Sequence, residues 1–288
     1  MRIFITGGSG FVGQNLVRLL LEKDHEIMCL TRERAINAKV NYIRADLRNT
    51  QSYKEALLNF SPNKVINLAW YGLPDYSKYN CEVSYQCAMS LFEIIKETDC
   101  KEILCTGSCW EYKDNQGKID YKAELDVKSD FAVYKNKIRV DGNNMLRGSN
   151  TNLTWIRPFF IYGRNQRKQS LIPSCYDQLK VGLIPKINNP DAVNDFIHID
   201  DVVSGISALI EGMNDERVYN LGSGRGTPVW HIVNIIAKTM HKEAIFLERS
   251  PKYRGNISDN KMLTLKGWKP KISIEDGIKS VVAEFEQL

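Results

Sequence analysis

Seven residues near the start of the chain, Gly7-Gly8-Ser9-Gly10-Phe11-Val12-Gly13, have the spacing of a phosphate cradle. They follow one short apolar run and open an amphipathic one. Gly7 permits the tight turn, Gly10 lets backbone approach a bound pyrophosphate, and Gly13 lets a helix pack closely on the preceding strand. The first amides of such a helix, next to Ser9, Phe11 and Val12, favour an anion. A glycine string alone says little, but placed between a strand and a helix it predicts a dinucleotide site. An acid at the end of the second apolar run would bind a ribose hydroxyl of NAD. The chain instead reads Leu30-Thr31-Arg32-Glu33-Arg34. Thr31 and Arg32 suit a 2′-phosphate, which a carboxylate would repel, so NADP is expected ahead of NAD, with Glu33 pulling the other way. Asp46-Leu47, after a third apolar run, are placed at the adenine edge, or else cap a helix.

Such a site needs parallel strands with helical crossovers, and the chain alternates accordingly. Strands are expected at Arg2–Thr6, Glu26–Leu30, Val40–Arg44, Lys64–Leu68, Glu102–Cys105 and Leu153–Ile156. Helices are expected at Gln14–Lys23, Ser52–Leu58, Cys81–Thr98 and Phe131–Leu146. The rhythm breaks after Arg157-Pro158. Helices then read at Ser170–Val181, Val202–Gly212 and Val229–Thr239, with extended pieces at Phe196–Ile199, Val218–Leu221 and Ile245–Leu247. The fold class is α/β, a doubly wound (Rossmann) parallel sheet with a smaller C-terminal substrate-binding lobe. Residues 1–162 are assigned to cofactor binding, with segments near 195–222 returning to that domain, and 163–288 mainly to substrate.

The bulk numbers agree. The chain has 288 residues, 43% hydrophobic and 25% charged, enough for one large domain and a small lobe. A net charge of +5 suits polyanionic small molecules, and the one basic cluster, Arg164 to Lys168, is too short for a nucleic-acid patch. Seven cysteines without a CxxC pair, and four histidines without ligand spacing, predict buried free thiols in a reducing compartment and no metal. The chain opens directly on a strand, and no apolar run approaches the ~20 residues that span a bilayer. A cytoplasmic protein off the membrane is expected.

Taken together, several landmarks resemble the extended short-chain dehydrogenases/reductases, the sugar epimerase/dehydratase/reductase group, over essentially the whole length. They are Gly7–Gly13, Asn67-Leu68-Ala69-Trp70, Thr106-Gly107-Ser108-Cys109-Trp110-Glu111-Tyr112, Arg157-Pro158 through Tyr162-Gly163, Asp195 through Val202, Tyr219 through Gly224, and Gly267-Trp268-Lys269-Pro270. Within the group the chain looks most like nucleotide-sugar 4-ketoreductases such as the CDP-abequose and CDP-paratose synthases. The resemblance implies a nucleotide-sugar substrate and cofactor contacts from Leu68 and Ala69. It also implies a homodimer built on a four-helix bundle from Cys81–Thr98 and Phe131–Leu146, whose apolar residues, including Met89, Phe92, Ile138, Met145 and Leu146, exceed what one sheet face needs.

The family's chemistry uses a Ser or Thr, a Tyr, and a Lys four residues after the Tyr, a spacing that places both on one helix face. The ammonium lowers the phenol pKa and binds the nicotinamide ribose. Ser108 fits the hydroxyl position. The Tyr-Lys pair departs from the pattern: Phe131 and Lys135 have the spacing, with phenylalanine where tyrosine belongs. Val133 and Lys137 form a second register, and Tyr134 is followed at that spacing by Ile138. The Phe131/Lys135 register is preferred because Phe differs from Tyr only by the hydroxyl. Either an engineered Tyr→Phe change is present or the natural protein dispenses with that phenol; the first is favoured because every other landmark is intact.

Cys109-Trp110 after Ser108 leaves no acid pair for dehydration. Cys109 is one residue early for the thiol of the 3,5-epimerising reductases, and on a strand it would point the other way. The expected reaction is reduction of a keto group on an activated deoxysugar. An NAD-dependent 4-epimerase and a non-catalytic nucleotide-sugar-binding member remain the alternatives. Trp70, Ser108, Cys109 and Trp110 are placed at the sugar, Asn165 near the nucleotide, and Arg225 and Arg254 as pyrophosphate clamps, since guanidinium pairs bidentately with phosphate.

Overall fold

A computed structural model describes residues 1–32, 37–114, 117–212, 217–248, 250 and 255–287. Glu33, Arg34 and Arg254 lie outside the described residues. The strands are β1 (Arg2–Thr6), β2 (Glu26–Thr31), β3 (Asn41–Arg44), β4 (Lys64–Asn67), β5 (Glu102–Thr106), β6 (Gly117–Ile119), β7 (Asn152–Pro158), β8 (Phe160–Tyr162), β9 (Val193–Asn194), β10 (Phe196–His198), β11 (Val218–Leu221), β12 (Thr227–Pro228) and β13 (Asn256–Ser258). The helices are α1 (Phe11–Leu21), α2 (Gln51–Phe60), α3 (Lys78–Lys96), α4 (Asp130–Met145), α5 (Leu171–Lys180), α6 (Ile199–Glu211), α7 (Val229–Thr239), α8 (Lys261–Leu265) and α9 (Ile274–Glu286).

Seven strands form one sheet in the order β11-β7-β5-β4-β1-β2-β3. The ladders from β3 through β7 are parallel. This is the expected doubly wound sheet, and its order reverses at β1, so the crevice for a ligand lies outside the ends of β1 and β4. Apolar residues fill both faces of these strands, as a covered parallel sheet requires. Phe4, Val65 and Ile103 of the sheet share a core with Leu91, Phe92 and Ile95 of α3.

The chain divides into two compact units. The first comprises Met1–Lys113, Glu124–Arg157 and Ile206–Tyr219, and the second Asp114–Ala123, Pro158–Gly205 and Asn220–Leu288. In the second unit, α5, α7 and α9 close over Ile172, Ile232, Ile236, Ile278 and Val281. Its irregular loop 222–226 is tied by a buried carboxylate. Asp195 accepts from the backbone of Ser223 (2.7 Å), Gly224 (3.0 Å) and Ser258 (2.9 Å) and from the Ser223 hydroxyl. A side chain at Gly222 would strike Asp195 at 2.5 Å.

Ile245–Leu247 is not a strand. The Asn234 side chain accepts from the amides of Ile245 (3.0 Å) and Phe246 (2.9 Å) and donates to the Phe246 carbonyl (2.8 Å), doing the work of a neighbouring strand. The extended piece is instead β13, paired in parallel with β6. Two other expectations also need correction. Phe92, Ile138 and Leu146 are buried within the first unit's own core, with Met89 and Met145 packed against it, so they are not surplus apolar surface. Cys109 does not continue a strand, because the chain leaves β5 at Thr106 and coils into a single 3₁₀ turn, Cys109–Glu111.

That turn is fixed by charge. The Glu111 side chain is 0% exposed and meets Arg157, itself 2% exposed, at 2.9 Å. Its carboxylate also accepts from the Ser108 amide (2.9 Å) and the Trp155 indole (3.0 Å), while Arg157 donates to the Tyr112 hydroxyl (3.0 Å). Gly107 allows the approach, since a Cβ there would lie 2.2 Å from both Glu111 and Trp155. Removing one partner of a buried pair leaves the other charge uncompensated. Glu111→Gln is therefore expected to destabilise the protein by about 3–5 kcal/mol, read as a lower urea midpoint. A loss below about 1 kcal/mol, the level of an exposed pair, would contradict this account.

Candidate active site

The glycine turn leaves β1 at its C-terminal end. Gly7 has φ +73°, and a Cβ on it would sit 2.8 Å from the Ala69 amide nitrogen. The backbone of Leu68 and Ala69 therefore passes directly against the turn. A Cβ on Gly13 would fall 2.1 Å from the Gly7 carbonyl, so the start of α1 is pressed onto the loop. Gly10 is exposed, and a Cβ on it would meet only the Gly7 carbonyl, at 3.2 Å. The first turn of α1 carries no acidic side chain, and Ser9, Phe11 and Val12 are half-buried around it. Small side chains, close backbone and the positive end of a helix fit a pyrophosphate.

At the end of β2, Thr31 is buried and Arg32 exposed. Asp46 follows β3 and is occupied: it accepts from the Arg48 backbone (2.9 Å) and from the Arg48 guanidinium at 3.0 and 2.9 Å. The Arg48 hydrogen bonds, with a further pull from the Arg32 charge, hold the Asp46 carboxyl below its ordinary range. Arg48 also lies over the Tyr71 ring, 4.8 Å from its centroid. Leu47 is half-buried and packs on the core of the first unit.

Ser108 caps the 3₁₀ turn, its hydroxyl accepting from the Trp110 amide at 3.1 Å. The Glu111 amide also donates to this hydroxyl, so both of its lone pairs are engaged and its proton remains for a ligand. Trp110 is 46% exposed, and Cys109 is buried beneath it. α4 brings Phe131 to this turn. The Phe131 ring meets Trp70 at 5.0 Å, Tyr76 at 4.9 Å and Trp110 at 5.7 Å between centroids, all edge to face.

Lys135, one turn on, is buried and donates to the Thr106 carbonyl at the end of β5. Its ammonium stands 4.3 Å from the Trp70 ring centroid and 5.5 Å from that of Phe131. Burial pushes its pKa down to about 8, and the Glu111 charge opposes the fall. The other register goes elsewhere. Lys137 lies over Tyr85, 4.4 Å from the centroid, and Val133 is exposed. Tyr134 packs against Tyr85, whose hydroxyl donates to Asp141 (2.8 Å). Phe131 and Lys135 thus join Ser108, Trp70 and Trp110 in one cluster, and Val133, Tyr134 and Lys137 belong to another.

Tyr76 was not anticipated from the sequence. It sits in an irregular segment after β4 with no periodicity and no motif residue to mark it. Asn165 and Arg225 belong to the second unit. Asn165 is exposed, with φ +63°, and Arg225 is exposed on the loop tied by Asp195. All seven cysteines are buried and free. No helix among the described residues is long and apolar enough to cross a membrane.

Residues 3–222 match the model of the NAD dependent epimerase/dehydratase family. The chain is 22% identical to the dTDP-4-dehydro-6-deoxyglucose reductase of Escherichia coli over 314 residues, covering 97% of this chain and 96% of that protein. It is 24% identical to the CDP-abequose synthase of Salmonella muenchen, covering 99% and 98%. The fold superposes with a TM-score of 0.86, at 20% identity and with 100% and 99% coverage, on a tyrosine-to-phenylalanine mutant of a UDP-glucuronic acid 4-epimerase from Bacillus cereus. That protein is in complex with UDP-4-deoxy-4-fluoro-glucuronic acid and NAD. The glycine cradle, the doubly wound sheet and a family match over most of its length make this chain a member of the NAD dependent epimerase/dehydratase family.

Proposed function

We propose that the chain is an NADP(H)-dependent reductase of a keto group, at C4, on a nucleoside-diphosphate deoxysugar. The observation that carries this reading is Lys135, buried under Trp70 and Phe131 at the end of β5 and one turn from the Ser108 cap. The glycine cradle, Thr31, Arg32, Leu68 and Ala69 would hold the cofactor, which supplies hydride when bound. Ser108 would hold the carbonyl oxygen in line, and Lys135 the nicotinamide ribose. Trp70 and Trp110 would border the sugar, while Asn165, Arg225 and Arg254 would serve the nucleotide. Position 131, filled by phenylalanine, offers no proton of its own.

Dehydration is disfavoured on a specific ground. Glu111, the first carboxylate after Ser108, is engaged by Arg157, Trp155 and the Ser108 amide and is sealed from solvent. A 4-epimerase with retained NAD is the second reading, favoured by the likeness to the Bacillus cereus epimerase. Both readings use the same residues.

Three outcomes are expected. Arg32→Asp should move cofactor preference from NADP toward NAD, measured by binding titration with both; equal affinities in the unsubstituted protein would contradict the assignment. The protein should run as a homodimer in light scattering at micromolar concentration. The supporting surface is the exposed Val133 and Val140 of α4, seven residues apart on one face, beside Tyr85 and Tyr134. A monomer would refute it. Restoring the phenol, Phe131→Tyr, should raise turnover with NADPH and a nucleotide-linked 4-keto-deoxysugar about 10²-fold. That gain should decline above about pH 8, as Lys135 loses its proton. An unchanged rate would favour the non-catalytic member of the family.

A further inference from the structure

Phe131 carries no hydroxyl, yet a phenol stands beside it. The Tyr76 ring meets Phe131 edge to face at 4.9 Å and Trp110 at 5.7 Å. The segment bearing it is tied in place. The Asp75 amide donates to the Gly72 carbonyl (3.0 Å), and the Asp75 carboxylate accepts from the Ser77 amide (2.8 Å), the Ser77 hydroxyl (3.0 Å) and the Asn80 amide group (2.9 Å). Gly72 turns with φ +76°, where a Cβ would strike Asn80 at 2.2 Å. Tyr76 is 41% exposed, so its phenol borders both the cluster and water. No hydrogen bond of its hydroxyl occurs among the described residues.

We propose that Tyr76 is a catalytic residue of this chain, the proton donor for the turnover that remains with phenylalanine at position 131. The proposal rests on the ketoreductase reading above. Reduced NADP, when bound, would supply hydride to the carbonyl carbon, and the carbonyl π pair would move onto oxygen. The Tyr76 O–H proton passes to that oxygen and yields the alcohol. Water, which reaches the exposed phenolate, returns the proton. The Lys135 ammonium stands in the same cluster, 4.3 Å from the Trp70 ring centroid and 5.5 Å from that of Phe131. A donor arriving from the loop rather than from α4 is less well aligned, which fits a reduced rate.

A double-mutant cycle tests this with four proteins: the chain as it stands, Tyr76→Phe, Phe131→Tyr and the double variant. Reduction of dTDP-, CDP- and GDP-linked 4-keto-6-deoxyhexoses by NADPH gives kcat, and calorimetry gives the Kd of NADPH as a check on folding. Tyr76→Phe should lower kcat about tenfold or more with Kd for NADPH unchanged. It should also change the solvent deuterium isotope effect on kcat, since the residual proton must then come from water. With tyrosine at 131 the same change should cost about threefold or less, a strongly non-additive cycle. An undiminished kcat in Tyr76→Phe overturns the proposal. An equal loss in both backgrounds does so too, since that marks a packing role. Turnover by Phe131→Tyr with none by the unsubstituted chain overturns it while leaving the ketoreductase reading intact. Four silent proteins overturn both.

Discussion

Glu111 lies where no water can solvate it, and the geometry of the first unit's site follows from how its charge is met. A carboxylate in that position is tolerable only with a cation and a full set of hydrogen bonds. Arg157 supplies the first, and Trp155 and the Ser108 amide supply the rest. Because the Ser108 amide is one of those partners, the chain must turn straight after β5. That turn sets the hydroxyl of Ser108 on its outer side and lifts Trp110 toward Phe131. A structural ion pair thereby fixes a candidate catalytic hydroxyl, which also accepts from the Glu111 amide.

The same buried region carries more positive than negative charge. Burial and the neighbouring Arg157 charge lower the pKa of Arg139, and burial lowers that of Lys135, with Glu111 the main opposing charge in each case. Three cations against one carboxylate would be costly in an isolated interior, where each charge sheds its hydration. In the reading proposed above, a bound dinucleotide would bring negative charge near Lys135. Lys135 meanwhile leans on a carbonyl dipole and the face of an indole, two partners that neutralise nothing. Its charge stays available to an anion or to a phenolate.

Much of this was legible in the sequence. The parallel sheet followed from apolar runs broken by amphipathic ones, and the cradle from Gly7, Gly10 and Gly13. The pairing of Phe131 with Lys135 in one cluster followed from a spacing of four. What was hidden depended on long-range partners. Ile245–Leu247 carries strand-forming residues, but the Asn234 side chain took the backbone bonds that a strand would have made. Cys109 reads as the continuation of a strand until the capture of the Ser108 amide by Glu111 is seen. The apolar positions of α3 and α4 looked excessive for one sheet face, yet they share one core with Ile103, Leu153 and Trp155. Tyr76 gave no signal at all, since loop residues have no period and their neighbours are set by the fold.

Two of these misses, Cys109 and Tyr76, share a location, and that bears on how one scaffold serves different reactions. The cradle and the Lys135 position are held by regular elements whose geometry the sheet dictates. The residues that would meet the sugar, Trp70, Tyr76, Ser108 and Trp110, stand at strand ends and in the segments that follow, 70–77 and 108–112. Their backbone is fixed by local side-chain bonds such as those of Asp75 and Glu111 rather than by ladders. Exchanging one side chain there changes what faces the substrate without disturbing the sheet. A phenylalanine at position 131 leaves the rest of the cluster in place. The Phe131 ring packs the cluster together, and in the reductase proposed above the phenol nearest the carbonyl oxygen would make the proton transfer.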